Sequence, residues 1–94
     1  MKAMQDRASQ SPILERFDEM GRLLTGDPAA KAEDGIRWLQ EIGTALKVPS
    51  LGTYGLTKTE FPEIIAKAKS ASSMKGNPIE LTDNELLQIL EMAL

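Results

Sequence analysis

The side chains that carry out most enzyme chemistry are missing from this sequence. Its 94 residues include no Cys and no His. No thiolate can act as a nucleophile, and no zinc or iron–sulfur site can be built on cysteine. The absence of His also removes the commonest general base and the commonest transition-metal ligand. Any chemistry would have to come from carboxylates, hydroxyls and amines.

The carboxylates that stand side by side do not form a catalytic pair. Asp18 precedes Glu19, and Glu33 precedes Asp34. Neighbouring residues of a helix point to different faces, so neither pair can share a proton or bracket one bond. We interpret both pairs as solvated helix surface.

Two further stretches resemble binding loops only superficially. Gly52–Gly55, "GTYG", is too short for a dinucleotide fingerprint and follows no strand. Ser70–Gly76, "SASSMKG", lies at the end of a predicted helix, where exposed carbonyls repel anions. We therefore predict a loop and a polar turn. We predict no catalytic, cofactor-binding or metal-binding residue, and no cofactor, in this chain.

Composition excludes several classes of partner. The net charge is −3, with 11 basic and 14 acidic residues and no basic stripe, so nucleic-acid binding is not expected. No apolar run approaches the roughly 20 residues needed to span a bilayer, so we expect no membrane partner. The opening "MKAMQDRASQ" turns polar within four residues, unlike a signal peptide. We therefore expect a cytoplasmic protein.

Helical spacing of apolar residues predicts two helices in the first half of the chain. The first begins after Ser11-Pro12 and ends at Gly26, with Asp27-Pro28 opening a second that runs from about residue 28 to 47. The predicted buried positions are Ile13, Phe17, Met20 and Leu24 in the first helix, and Ala32, Ile36, Leu39, Ile42 or Gly43, and Leu46 in the second.

Two capping boxes predict two more helices in the second half. Thr57–Glu60 starts the third helix and Thr82–Glu85 starts the fourth. The loop over 48–57 carries a short helical turn near 51–54, and Pro78 holds Asn77 outside the α region. We predict an all-α fold, a small bundle of about four helices with a short helical turn. Residues 1–10 form a flexible lead-in, and 11–94 form a single all-helical domain.

Three segments resemble a known protein family in their amino-acid sequence. They are Ala32–Leu39, "AEDGIRWL", Val48–Thr57, "VPSLGTYGLT", and above all Ser72–Leu90, "SSMKGNPIELTDNELLQIL". Together they resemble the C-terminal part of the iron-containing (metal-dependent, group III) alcohol dehydrogenase family. The resemblance covers most of the chain, from about residue 13 to 94.

The resemblance implies a structural role. Full-length members of the family have an α/β nucleotide-binding domain with a glycine-rich loop for NAD(P). They also have a helical domain that holds iron or zinc with one Asp and three His. All four ligands precede the region that matches this chain, which has no His. The resemblance therefore implies a distal helical segment that supports the metal-bearing domain and the cleft and is inactive alone.

A second hypothesis makes the chain a stand-alone helical protein–protein interaction module derived from that domain. The expected partners are the N-terminal part of the dehydrogenase or a second copy of the chain. For self-association we expect the third helix, around Ile64, Ile65 and Ala68, or the fourth, around Leu87 and Leu90, to supply the contact. The sequence does not choose between these two helices.

Overall fold

The fold is entirely helical, as predicted. The computed structural model describes all 94 residues, of which 69% are helical and none lies in a strand. The α-helices are α1 (Lys2–Arg7), α2 (Leu14–Thr25), α3 (Ala32–Ala45), α4 (Phe61–Ser70) and α5 (Asp83–Ala93). Short 3₁₀ turns cover Leu51–Tyr54, Lys58–Glu60 and Ser72–Gly76. None of the helices combines the length and the apolar character that crossing a membrane requires.

The contacts within the chain define two compact units. The first covers Met1–Val48 and holds α1 to α3, and the second covers Pro49–Leu94 and holds α4 and α5. The boundary falls inside the loop predicted over 48–57, where the expected turn at Leu51–Tyr54 is present. The single domain expected over 11–94 stays a prediction.

The first ten residues are more structured than the lead-in that the sequence suggested. They contain α1, in which Ala3 and Met4 are buried, Met4 to 3% exposure. The Gln5 Nε2 group donates a 2.7 Å hydrogen bond to Glu33 Oε1 of α3. One and a half turns are too short to establish a helical period, so the packing of α1 could not be read from spacing.

The second predicted helix starts later than Asp27-Pro28. The Asp27 carboxylate accepts a 2.8 Å hydrogen bond from the amide of Ala29 and closes a turn instead. Helix α3 begins at Ala32, whose amide donates to Asp18 Oδ1 on α2 at 2.9 Å. The N-terminus of α3 is therefore capped by a side chain from another helix, which local sequence cannot indicate.

Helices α2 and α3 touch through glycines. Gly21 and Gly35 are both buried, and a Cβ placed on Gly35 would lie 2.8 Å from the Cα of Gly21. Helix α2 ends at Gly26 as predicted, with φ of 71° and its amide bonded to the Arg22 carbonyl at 2.9 Å. The absence of side chains at the crossing lets the two backbones come together.

The buried stripe predicted for the second helix is mostly exposed. Ala32 is buried as expected, and Gly35 in the next turn lies against Gly21 of α2. Farther along the same face the side chains are open to solvent: Ile36 is 37% exposed, Leu39 50%, Ile42 38% and Leu46 72%. The spacing of apolar residues correctly marks the apolar side of the helix, but the other helices of the first unit leave these side chains exposed.

The second unit is built on α4 and α5, which run antiparallel. Phe61, 2% exposed, and Leu86, 7% exposed, are its buried apolar residues. The predicted capping box of α5 is confirmed, because the amide of Glu85 donates to Thr82 Oγ1 at 3.2 Å and the amide of Thr82 donates to Glu85 Oε2 at 3.0 Å. Asn77 is extended, with φ of −68° and ψ of 140°, as expected before proline.

Candidate functional site

An apolar groove lies between α4 and α5 in the second unit. Its volume is about 560 Å³. Apolar side chains line its middle, and charged or polar side chains line its ends. The apolar lining residues are Phe61, Pro62, Ile65, Ala66 and Leu87, and the polar ones are Lys58, Lys69, Asp83, Asn84 and Glu91.

The groove follows from residue spacing on two helix faces. On α4 the lining positions Phe61, Ile65 and Lys69 recur every four residues, and on α5 Asp83, Leu87 and Glu91 do the same. Residues four apart share one face of a helix. The antiparallel packing of α4 on α5 then brings these two faces together along the groove.

Each end of the groove carries an ion pair that joins the two helices. At one end Lys58 Nζ lies 3.2 Å from Glu91 Oε1, and at the other Lys69 Nζ lies 2.6 Å from Asp83 Oδ1. Both lysines lie on the α4 side and both carboxylates on the α5 side. The groove therefore has a basic edge along α4 and an acidic edge along α5.

One of these ion pairs raises the pKa of its lysine. The hydrogen bond from Lys69 to Asp83, helped by the negative charges of Asp83 and Glu80, raises the pKa of Lys69 above its ordinary value. The side chains of both partners are well exposed, 47% for Lys69 and 70% for Asp83. Solvent screens such a pair, so it orients the groove edges more than it stabilises the fold.

The two edge carboxylates of the groove are too far apart to act together on one glycosidic bond. Asp83 and Glu91 are eight residues apart on one helix, which separates them by about 12 Å along the axis. Two carboxyl groups that act on one glycosidic bond stand at most about 9.5 Å apart. No group of three or more acidic side chains is placed to hold a metal ion.

Three of the four side-by-side carboxylates of the first unit make hydrogen bonds within the fold. Asp18 is half-buried and caps α3, so its interpretation as solvated surface is wrong. Asp34 accepts from the amide of Lys31 at 2.9 Å and from Arg37 Nη1 at 3.2 Å, and Glu33 accepts from Gln5. The structure does not bring these acids together at one site.

The two loop candidates also have structural roles. In Ser70–Gly76 the Ser70 hydroxyl donates to the Ala66 carbonyl at 3.2 Å, and a 3₁₀ turn follows from Ser72. Gly52, in the first 3₁₀ turn, lies against the chain end, since a Cβ there would sit 2.8 Å from the Leu94 carbonyl oxygen. Neither stretch presents a cradle for a phosphate.

A second surface lies on the first unit. It comprises the uncovered stripe of α3, namely Ile36, Leu39, Ile42 and Leu46. We call it the α3 stripe. Met20, 53% exposed, and Leu23, 83% exposed, add apolar side chains on α2. The spacing of apolar residues marked the residues of the stripe but predicted that they would be buried.

In comparisons with known proteins, no family model, curated protein or solved structure matches this chain. The structure itself defines an all-helical protein. It has an apolar stripe on α3 and a groove between α4 and α5 with an ion pair at each end.

Proposed function

We propose that this chain is the distal helical part of an iron-type alcohol dehydrogenase. On this proposal it supports the metal-bearing helices and the cleft of an NAD(P)-dependent enzyme and is inactive by itself. The sequence resemblance motivates the proposal, and one structural observation supports it. The segment "AEDGIRWL" opens α3, and α3 carries an apolar stripe that the other helices of the first unit leave exposed.

Covering that stripe would contribute favourably to the docking of a helix, before the cost of association is subtracted. The exposed fractions of its four residues together amount to about two whole aliphatic side chains. Covering each whole side chain contributes about 1.5–3 kcal/mol, so covering the stripe would contribute about 3–6 kcal/mol. The largest exposed apolar patch of a protein is often a functional surface.

The test is reconstitution of a divided enzyme. The chain would be mixed with the preceding portion of an iron-type alcohol dehydrogenase, which carries the glycine-rich loop and the metal ligands. NAD(P)H formation would be followed with a panel of short alcohols. We expect activity well above that of the preceding portion alone, and none from the chain alone. No gain in activity, together with no binding in calorimetry, would contradict the proposal.

A matched pair of variants assigns the effect to the α3 stripe. Leu39→Glu places a charge in the stripe, where burial would leave it unpaired, so it should abolish the gain. Gln40→Glu adds the same charge at the next, exposed position, about 100° around the helix and outside the stripe, and should preserve the gain. Circular dichroism would verify that both variants remain helical.

The stand-alone interaction module is the second candidate, and the α4–α5 groove is the observation that favours it. The genes beside this one distinguish the two candidates. An upstream reading frame that encodes a glycine-rich loop and a histidine-bearing helical segment would support the dehydrogenase proposal. The absence of such a frame would support the interaction module.

A further inference from the structure

The charge pattern of the α4–α5 groove indicates an occupant. The basic edge consists of Lys58 and Lys69 and the acidic edge of Asp83 and Glu91, with the lysine and the acid of each pair at the same level along the groove. Between them lie apolar groups that are partly open to solvent, including Ile65, Ala66 and Leu87. A surface with one basic and one acidic edge is complementary to a copy of itself.

We propose that a second copy of this chain binds in the α4–α5 groove and forms a twofold dimer whose axis runs along the groove. This inference does not rest on the dehydrogenase proposal. In such a dimer α4 of each copy faces α5 of the other, so four helices enclose the apolar middle of the two grooves. Twofold pairing of one patch with itself is the commonest closed arrangement of soluble oligomers.

The edge charges select this axis over the alternative. Rotation about an axis along the groove keeps every residue at its own level and exchanges the two edges. Lys58 then meets Glu91 of the second copy, and Lys69 meets Asp83 of the second copy, each contact occurring twice. Rotation about an axis across the groove would instead set α4 on α4 and lysines near lysines. Like charges placed together across an interface are unfavourable.

The lysines and carboxylates that pair within one copy can also make ion pairs with the other copy. Each pair is exposed on both sides, with Lys58 at 68% and Glu91 at 43% of their side-chain surface. An ammonium group has three donors and a carboxylate has about four acceptor positions. Each lysine can therefore stay paired with the carboxylate of its own chain and donate to a carboxylate of the other copy as well.

The first experiment measures self-association of the whole chain by sedimentation equilibrium between about 10 μM and 1 mM, a range in which small interfaces dissociate. We expect a reversible monomer–dimer equilibrium. Ala66→Glu puts a charge in the apolar middle of the groove, at a position already exposed in the monomer, and should weaken dimerisation at least tenfold. Gln88→Glu adds the same charge on α5 outside the groove and should change it less than twofold.

A charge exchange tests the pairing across copies. The double variant Lys58→Glu with Glu91→Lys keeps a pair within the chain and suits both helix dipoles. It should dimerise with itself as the parent does. Mixed dimers with the unchanged chain would oppose two lysines and two glutamates at that level. Because the exchange leaves the mass unchanged, one of the two proteins would be labelled with ¹⁵N. Native mass spectrometry of their equimolar mixture at low salt should then find mixed dimers below the statistical half of all dimers.

Three results would overturn the proposal. One is a monomer at every concentration, and another is a dimer that Ala66→Glu and Gln88→Glu affect equally. The third is a statistical share of mixed dimers at low salt. A dimer unaffected by Ala66→Glu but dissociated by Leu39→Glu would assign the interface to the α3 stripe instead.

Discussion

The closest approach of two helices in the first unit gives a sharp test of how this structure is held together. At Gly21 a Cβ would collide with the carbonyl oxygen of Lys31 and would lie 2.8 Å from its carbonyl carbon. These are backbone atoms at the start of α3, so they cannot rotate away as a side chain would. Gly21→Ala must therefore push α2 and α3 apart.

The magnitude follows from two opposing effects. Overpacking of this kind costs about 1–3 kcal/mol, while alanine in place of glycine stabilises a helix interior by about 0.5–1 kcal/mol. Because the collision involves backbone, we expect the cost to prevail and Gly21→Ala to lose about 1–2 kcal/mol. Gly35→Ala should act in the same direction, since its Cβ would lie 2.8 Å from the Cα of Gly21.

Gly43→Ala is the matched control. It also lies within α3, but a Cβ there meets no atom within 4 Å. Only the helix-propensity gain remains, so this variant should be more stable by about 0.5 kcal/mol. Gly21→Ala and Gly43→Ala should therefore change the free energy of unfolding in opposite directions, although the chemical change is the same.

Urea unfolding followed by the fluorescence of Trp38 measures this difference in stability in the first unit, close to the helix crossing. Trp38 is the single tryptophan of the chain and lies on α3, between the crossing and the control position. Gly21→Ala should lower the midpoint and Gly43→Ala should raise it, with unchanged dependence on urea. Equal midpoints for the two variants would refute the close glycine crossing.

Three further predictions concern the second unit and the chain as a whole. Thr82→Ala should cost about 1 kcal/mol in urea unfolding, because it removes the hydroxyl that caps α5; coincident melts would contradict the capping role. Asp83→Asn should lower the pKa of Lys69 in NMR titration, and an unchanged pKa would exclude their hydrogen bond as its cause. Because that pKa is raised, the stabilisation by the pair is complete below the ordinary lysine pKa and is lost as pH rises through the folded value. The isolated chain should neither turn over alcohols with NAD(P)(H) nor bind zinc at micromolar concentration, since carboxylates alone hold transition metals weakly; calorimetry and a coupled assay would detect either.

Local chemistry determined much of the secondary structure. The capping box at Thr82, the left-handed glycine at Gly26 and the extended Asn77 before Pro78 are each satisfied within a few residues of chain. The all-helical class and the helical turn at Leu51–Tyr54 followed from the same short-range rules. Such features can be predicted because both partners of each contact are neighbours in the sequence.

Tertiary structure alone decided which apolar faces are covered and where the charged edges meet. Hydrophobic spacing marked one side of α3 as apolar, but it could not show that the other helices of the first unit leave Leu39 and Leu46 exposed. Asp18 caps a helix 14 residues away, and Lys58 pairs with Glu91 across 33 residues. A helical period specifies a direction around one helix axis, whereas burial and pairing depend on which other helix lies in that direction.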